Sequence, residues 1–143
     1  MDHAELANDL IVKLRELHKV KPYKNIIESM QGESPVLEYV ANHDGYVLPG
    51  EIAREMDVSS ARIAAILNRL DDKGLITRQV DTKNRRQRLV GTTQDGKKVA
   101  GEYKQTLLGD AAKILDLLGE HDTKEYVRIT KRMIELPRDY DDY

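Results

Sequence analysis

The chain contains no cysteine, no tryptophan and no phenylalanine. Without thiols, disulfides, thiolate zinc sites, iron–sulfur clusters and cysteine nucleophiles are all excluded. The seven tyrosines are then the only aromatic residues, so the interior must be aliphatic. No apolar run reaches the ~18 residues that cross a bilayer, and the start lacks the pattern of a signal peptide. The expected location is the cytoplasm, with no membrane partner. The four histidines, His3, His18, His43 and His121, are scattered without metal-ligand spacing. Carboxylate pairs such as Asp71-Asp72 sit at a helix end and suggest no acid–base chemistry. The reading is therefore of a chain that is not an enzyme and holds no cofactor and no metal.

What is present suits one domain, residues 1–143, because 143 residues is close to the commonest domain size. Apolar residues make up 40% and charged residues 34%, a mix that folds around one core and leaves a wet surface. The net charge of −2 favours no polyanion by itself. Its distribution does. From Ser59 to Val90 eight cations (Arg62, Arg69, Lys73, Arg78, Lys83, Arg85, Arg86, Arg88) face three acids (Asp71, Asp72, Asp81), a segment charge of +5 that leaves −7 for the rest. One basic face on an otherwise acidic protein favours a polyanion there and repels it elsewhere.

Periodicity places the elements. Leu6, Leu10, Leu14 and Leu17 repeat at helical spacing up to Pro22, and the stretch from Tyr23 to Gln31 stays ambiguous, with room for a further turn or two of helix. Ser34-Pro35 reads as a helix start with a hydroxyl cap, Val36, Leu37 and Val40 as its buried face, and Gly45 as its stop. Tyr46-Val47-Leu48 suits a short strand. Pro49 opens a helix that buries Ile52, Ala53 and Met56, and Asp57-Val58-Ser59 is a tight turn with Asp57 in left-handed angles. Ser59 caps a second helix reaching Lys73, with a stripe of Ile63, Ile66, Leu67 and Leu70. Two short helices across a three-residue turn make a helix-turn-helix. Leu75–Val80 and Gln87–Thr92 form a hairpin around the polar tip Asp81 to Arg86. Three cations on such a tip call for something anionic.

Thr93–Leu118 reads as one helix of 26 residues, about 39 Å long. Val99, Tyr103, Leu107, Ala111, Ile114 and Leu118, widened by Ala100, Leu108 and Leu115, offer more apolar surface than one small neighbour can cover. Gly101 and Gly109, each unfavourable by about 1 kcal/mol in a helix interior, suit close approach of another backbone. Asp122-Thr123-Lys124-Glu125 looks like a capping box that starts a last helix, apolar at Tyr126, Ile129, Met133 and Ile134. Residues 137–143 form an acidic tail.

The ordered set Glu51-Ile52-Ala53, Val58-Ser59, Leu70, Lys73-Gly74-Leu75-Ile76, Arg78, Asp81 through Arg86 and Thr93-Gln94-Asp95-Gly96 resembles the MarR family of winged-helix transcriptional regulators. No single piece is specific; the order and spacing are. The resemblance implies a mainly α fold with a small β wing: a winged helix-turn-helix lobe over 35–92, with 3–31 and 93–136 as dimerisation helices. It implies a homodimer on a pseudo-palindromic double-stranded DNA operator, a repressor released by a small-molecule effector.

By that resemblance the helix Ser59–Lys73 lies in the major groove and presents Ser60, Ala61, Arg62, Ala64, Ala65, Asn68 and Arg69. Arg62 suits a guanine edge and Asn68 an adenine, while Ser59 and Ser60 suit a phosphate at the helix start. Arg69 reads as a phosphate contact, and Arg78 belongs to the same surface. The family's wing enters the minor groove with an Arg where this chain has Lys83, a departure that weakens shape reading unless Arg85 or Arg86 substitutes. Asp81 and Arg86 map onto the family's bracing ion pair. Leu48 replaces a frequent capping Thr, and Ala64-Ala65 replace a polar pair. The effector crevice would be lined by Tyr39, Tyr46 and Tyr103.

Two competing readings follow from the residues. Gly91 to Lys98 nearly matches a phosphate-binding P-loop, but Lys98 stands where a Ser or Thr must hold magnesium, so the segment reads as a helix start. A winged helix can also serve as a protein-interaction module, with its wing cations meeting an acidic partner.

Overall fold

The computed structural model describes residues 2–136; the acidic tail at 137–143 lies outside them. Seven helices and one hairpin follow in the order α1 (His3–Leu17), α2 (Lys21–Ser29), α3 (Glu33–Ala41), α4 (Pro49–Met56), α5 (Ser60–Asp72), β1 (Ile76–Val80), β2 (Arg88–Thr92), α6 (Gln94–Leu118) and α7 (Glu120–Ile134). The strands are antiparallel, from Ile76 opposite Thr92 to Val80 opposite Arg88. Val47 adds a third edge through a bridge to Val90, so Tyr46–Leu48 is extended as expected.

The core belongs to the middle of the chain. Val36, Leu37 and Val40 of α3, the bridge residue Val47, then Ile52 and Ala53 of α4, Ile63, Ile66, Leu67 and Leu70 of α5, Ile76, Val90 and Ala100 are its buried apolar members, and among the described residues no polar or charged side chain is buried with them. Each large aliphatic buried there contributes about 1.5–3 kcal/mol relative to exposure. Helix α6 is tied to this core by its first turn. The Thr93 hydroxyl donates to the Gly74 carbonyl and accepts from the Gly96 N–H. A Cβ at Gly96 would lie 2.0 Å from the Leu75 carbonyl oxygen. Only glycine allows that approach.

Several expected boundaries move. Pro22 does not merely end α1; it occupies the first turn of α2, where its missing N–H has no helical partner to lose. Helix α3 starts one residue before Ser34, with Gly32 at φ +85° in the capping position and no side-chain cap. It ends at Ala41, short of Gly45. Helix α7 starts at Glu120 directly from Gly119, so Asp122–Glu125 lies inside the helix. Thr123 there donates to the Leu115 carbonyl and joins α7 to α6. The hairpin strands are each one residue shorter at the start than the sequence pattern suggests.

Candidate nucleic-acid interface

Helix α5 is held by its ends and its underside. The turn before it places Asp57 at φ 52°, ψ 51°, and the Val58 N–H donates to the Ala53 carbonyl at 3.1 Å. The Ser59 hydroxyl oxygen accepts from the Arg62 N–H at 3.1 Å, which leaves its own proton free for a phosphate. With Ile63, Ile66, Leu67 and Leu70 buried, Ser60, Ala61, Arg62, Ala64, Ala65, Asn68 and Arg69 all face solvent. The structure therefore exposes the face of α5 opposite its buried stripe.

The cations on that surface are not equivalent. Arg69 Nε and Lys73 Nζ donate to the two carboxylate oxygens of Glu33, at 2.7 and 2.6 Å. The Lys73 hydrogen bond holds the Glu33 carboxyl below the ordinary carboxylate range against the opposing effect of burial, and Arg69 adds to it. Arg78 lies on β1 with its Nη2 donating to Asn68 Oδ1 at 2.8 Å and its Nε 3.7 Å from Asp71. The ion pairs of the lobe thus use Arg69, Lys73 and Arg78, and Arg62 is in none of them.

The wing is braced differently from expectation. Asp81 forms no ion pair with Arg86. Its Oδ1 accepts from the Lys83 N–H at 2.9 Å, and Asn84 Oδ1 accepts from the Arg86 N–H at 3.2 Å. Asp81 N–H to Gln87 carbonyl and Gln87 N–H to Asn84 carbonyl, both 3.0 Å, close the tip. Short side-chain turns to backbone N–H groups fix this tip, and the bracing leaves Lys83, Arg85 and Arg86 exposed. At its base, Arg86 and Arg88 face Arg54 and Glu51 of α4 across a cavity of about 370 Å³. Sequence reasoning left Arg54 out because it precedes the basic segment, and Glu33 because nothing local marks a partner 36 residues before Arg69.

Tyr39, Tyr46 and Tyr103 each have a different partner. The Tyr103 hydroxyl donates to the Ser29 carbonyl, and burial, then the Glu38 charge, pushes its pKa up. Tyr46 accepts from Gln79 Nε2 and lays its ring against Gly91. Tyr39 stacks near His43, ring centroids 4.4 Å apart. The crevice below α5, about 240 Å³, is instead lined by Met30, Gln31, Pro35, Met56, Val58 and Arg62 among others. Among the described residues no cluster of three metal-ligating side chains occurs, and no helix is long and apolar enough to cross a membrane. The Gly91–Lys98 segment is the end of β2 followed by the Thr93-capped start of α6.

A helix-turn-helix whose second helix is exposed along one face, followed at once by a cation-tipped hairpin, defines a winged helix-turn-helix protein. The MarR family signature matches residues 29–87. The chain is 29% identical over 141 residues to the HTH-type transcriptional repressor MdtR of Bacillus subtilis, covering 92% of this chain and 87% of that protein. The crystal structure of YusO from Bacillus subtilis superposes with a TM-score of 0.70 at 26% identity, over 96% of this chain and all of that one. Streptococcus pneumoniae FabT, solved in complex with DNA, has the same fold, with a TM-score of 0.63 at 20% identity over 97% and 94% of the two chains. Residues 29–87 thus match the MarR family, and the chain as a whole is similar to winged-helix regulators of that kind.

Proposed function

We propose that this chain is a sequence-specific regulator of transcription that binds double-stranded DNA as a homodimer in the cytoplasm, represses, and is released by a small effector. Its function is binding rather than turnover. The observation that carries the reading is the exposed strip from Arg62 on α5 to Lys83, Arg85 and Arg86 on the wing tip, a cationic ridge on a chain that is otherwise acidic. Arg62 and Asn68 read bases in the major groove, with Ala61 and Ala65 offering methyl contacts. Ser59, Ser60 and the wing cations hold the backbone. The lobe at 35–92 binds and the helices at 3–31 and 93–136 pair two copies.

Pairing is supported by uncovered apolar surface. Leu10 is 57% exposed, Leu117 88% and Ile134 71%, far more than a lone protomer needs to leave wet. Two-fold pairing sets the reading helices about 34–36 Å apart, one turn of DNA. Effector release is supported by the crevice below α5, because a molecule seated there touches Arg62 and both flanking helices.

Binding to a random-sequence duplex as a function of salt tests the reading. With six to ten phosphates contacted, affinity falls roughly 10³–10⁵-fold between 50 and 200 mM salt. Indifference to duplex at low salt, with capture of an acidic protein instead, would overturn it in favour of an interaction module.

A further inference from the structure

We propose that Arg78 is a positioning residue that sets which base Asn68 accepts, making Asn68 a hydrogen-bond donor rather than an adenine reader. The inference rests on the DNA-binding reading above and on one junction between wing and helix. Arg78 is on β1, opposite Val90 in the hairpin register. Its side chain is only 22% exposed and runs beneath α5, beside Ala64, Leu67 and Pro49. There it meets Asn68 and Asp71, one turn apart on the helix. Arg78 Nε is buried and has no hydrogen-bond partner. A guanidinium in this place is poorly sited for a phosphate and well sited to hold Asn68.

The chemistry of the pair decides the orientation of the amide. A guanidinium can only donate, so the Asn68 atom facing it must be Oδ1, and the Nδ2 hydrogens must point outward. Reading adenine takes both ends of an asparagine: Oδ1 accepts from the adenine amino group while Nδ2 donates to N7. Here Arg78 takes one of the two lone pairs of Oδ1 at 2.8 Å, and that hold turns the carbonyl toward β1 and the Nδ2 hydrogens away from it. What remains on the reading face is a pair of N–H donors. They match an acceptor edge, guanine N7 and O6 or thymine O4, and they oppose the amino group of adenine or cytosine.

Selection from a random duplex pool with the full-length protein tests this, using wild type, Asn68→Ala, Arg78→Met and Arg78→Lys. Asn68→Ala identifies the position by flattening preference at one base pair per half-site. At that position the wild type should favour guanine or thymine by roughly five- to tenfold. Arg78→Met should shift the preference toward adenine with the salt dependence unchanged. Arg78→Lys should do the same, because an ammonium settles on the Asp71 carboxylate and cannot span both partners as the planar fork does. Adenine preferred by the wild type at that position would overturn the proposal. So would a uniform loss across all sequences in Arg78→Met with a salt slope lower by about one and full recovery in Arg78→Lys, the signature of a phosphate contact. If Asn68→Ala changes nothing while Arg62→Ala flattens the preference, this assignment falls and the DNA-binding reading stands. If no variant and no wild-type pool shows any preference, both fall.

Discussion

The winged lobe and the terminal helices are written in the same aliphatic alphabet and meet opposite fates. In the lobe, every member of the α5 stripe is buried. In α1 and α7 no residue is buried, although Leu6, Leu10, Ile11, Leu14, Ile129, Met133 and Ile134 lie at helical spacing. The lobe closes on itself because three helices and a hairpin surround one core. Helices α1 and α7 are not enclosed in this way, so their stripes stay uncovered within one protomer. Amphipathicity says that a face will be covered; it does not say by which molecule.

The sharpest way to break this contrast is to replace one leucine on each side. Leu70→Ala should destabilise the protein by about 2–5 kcal/mol at any protein concentration, measured by urea unfolding. Leu10→Glu should leave the lobe folded and convert the sedimenting species from two chains to one. Equal effects on unfolding, or an unchanged sedimentation coefficient, would erase the distinction.

Glycines sharpen it next. Gly96→Ala must push α6 from the Leu75 carbonyl and should lower stability by about 1–3 kcal/mol. Gly101 meets nothing within 4 Å, so Gly101→Ala should stabilise α6 within a protomer by about 0.5–1 kcal/mol. A weaker dimer in the same variant would place the partner's backbone at that glycine.

A smaller effect is expected at the helix cap. Ser59→Ala removes the acceptor for the Arg62 N–H and should lower stability by about 1 kcal/mol, again by urea unfolding.

The smallest effect concerns pH. The folded state lowers the Glu33 pKa, so this carboxylate stabilises the native state above the ordinary glutamate value of about 4.3, and the contribution is lost as pH falls through the lowered folded value. Glu33→Gln should flatten that part of the acid limb of a stability–pH curve. It should also free Arg69 and Lys73 for phosphate and steepen the salt dependence of DNA binding. An unchanged acid limb and an unchanged salt slope would show that the bridge does neither.

Much of this was legible residue by residue. The cap at Ser59, the left-handed Asp57, the stripe of α5 and the polar hairpin tip are local events, set by side chains within four residues of one another. The exposed face of α5 followed because burying Ile63, Ile66, Leu67 and Leu70 leaves only the opposite face to solvent. The pairing of its polar groups was not legible. Asp81 satisfies a backbone N–H two residues away rather than Arg86, because a short side chain turns on its own loop more readily than it spans the tip. Arg69 binds Glu33 and Arg78 binds Asn68, contacts between elements whose approach no local pattern encodes. Tyr46 and Tyr103 bond partners 33 and 74 residues away, whereas Tyr39 meets His43 just past the end of its own helix.

The order of aliphatic and turn residues determined the helices, the hairpin and the exposed strip, because hydrophobic period and backbone angles act over a few residues. Which cation remains available to a ligand was decided only when α3, α5 and β1 came together. Ion pairs and hydrogen bonds act at about 3 Å, and folding alone brings residues 36 and 40 positions apart to that distance.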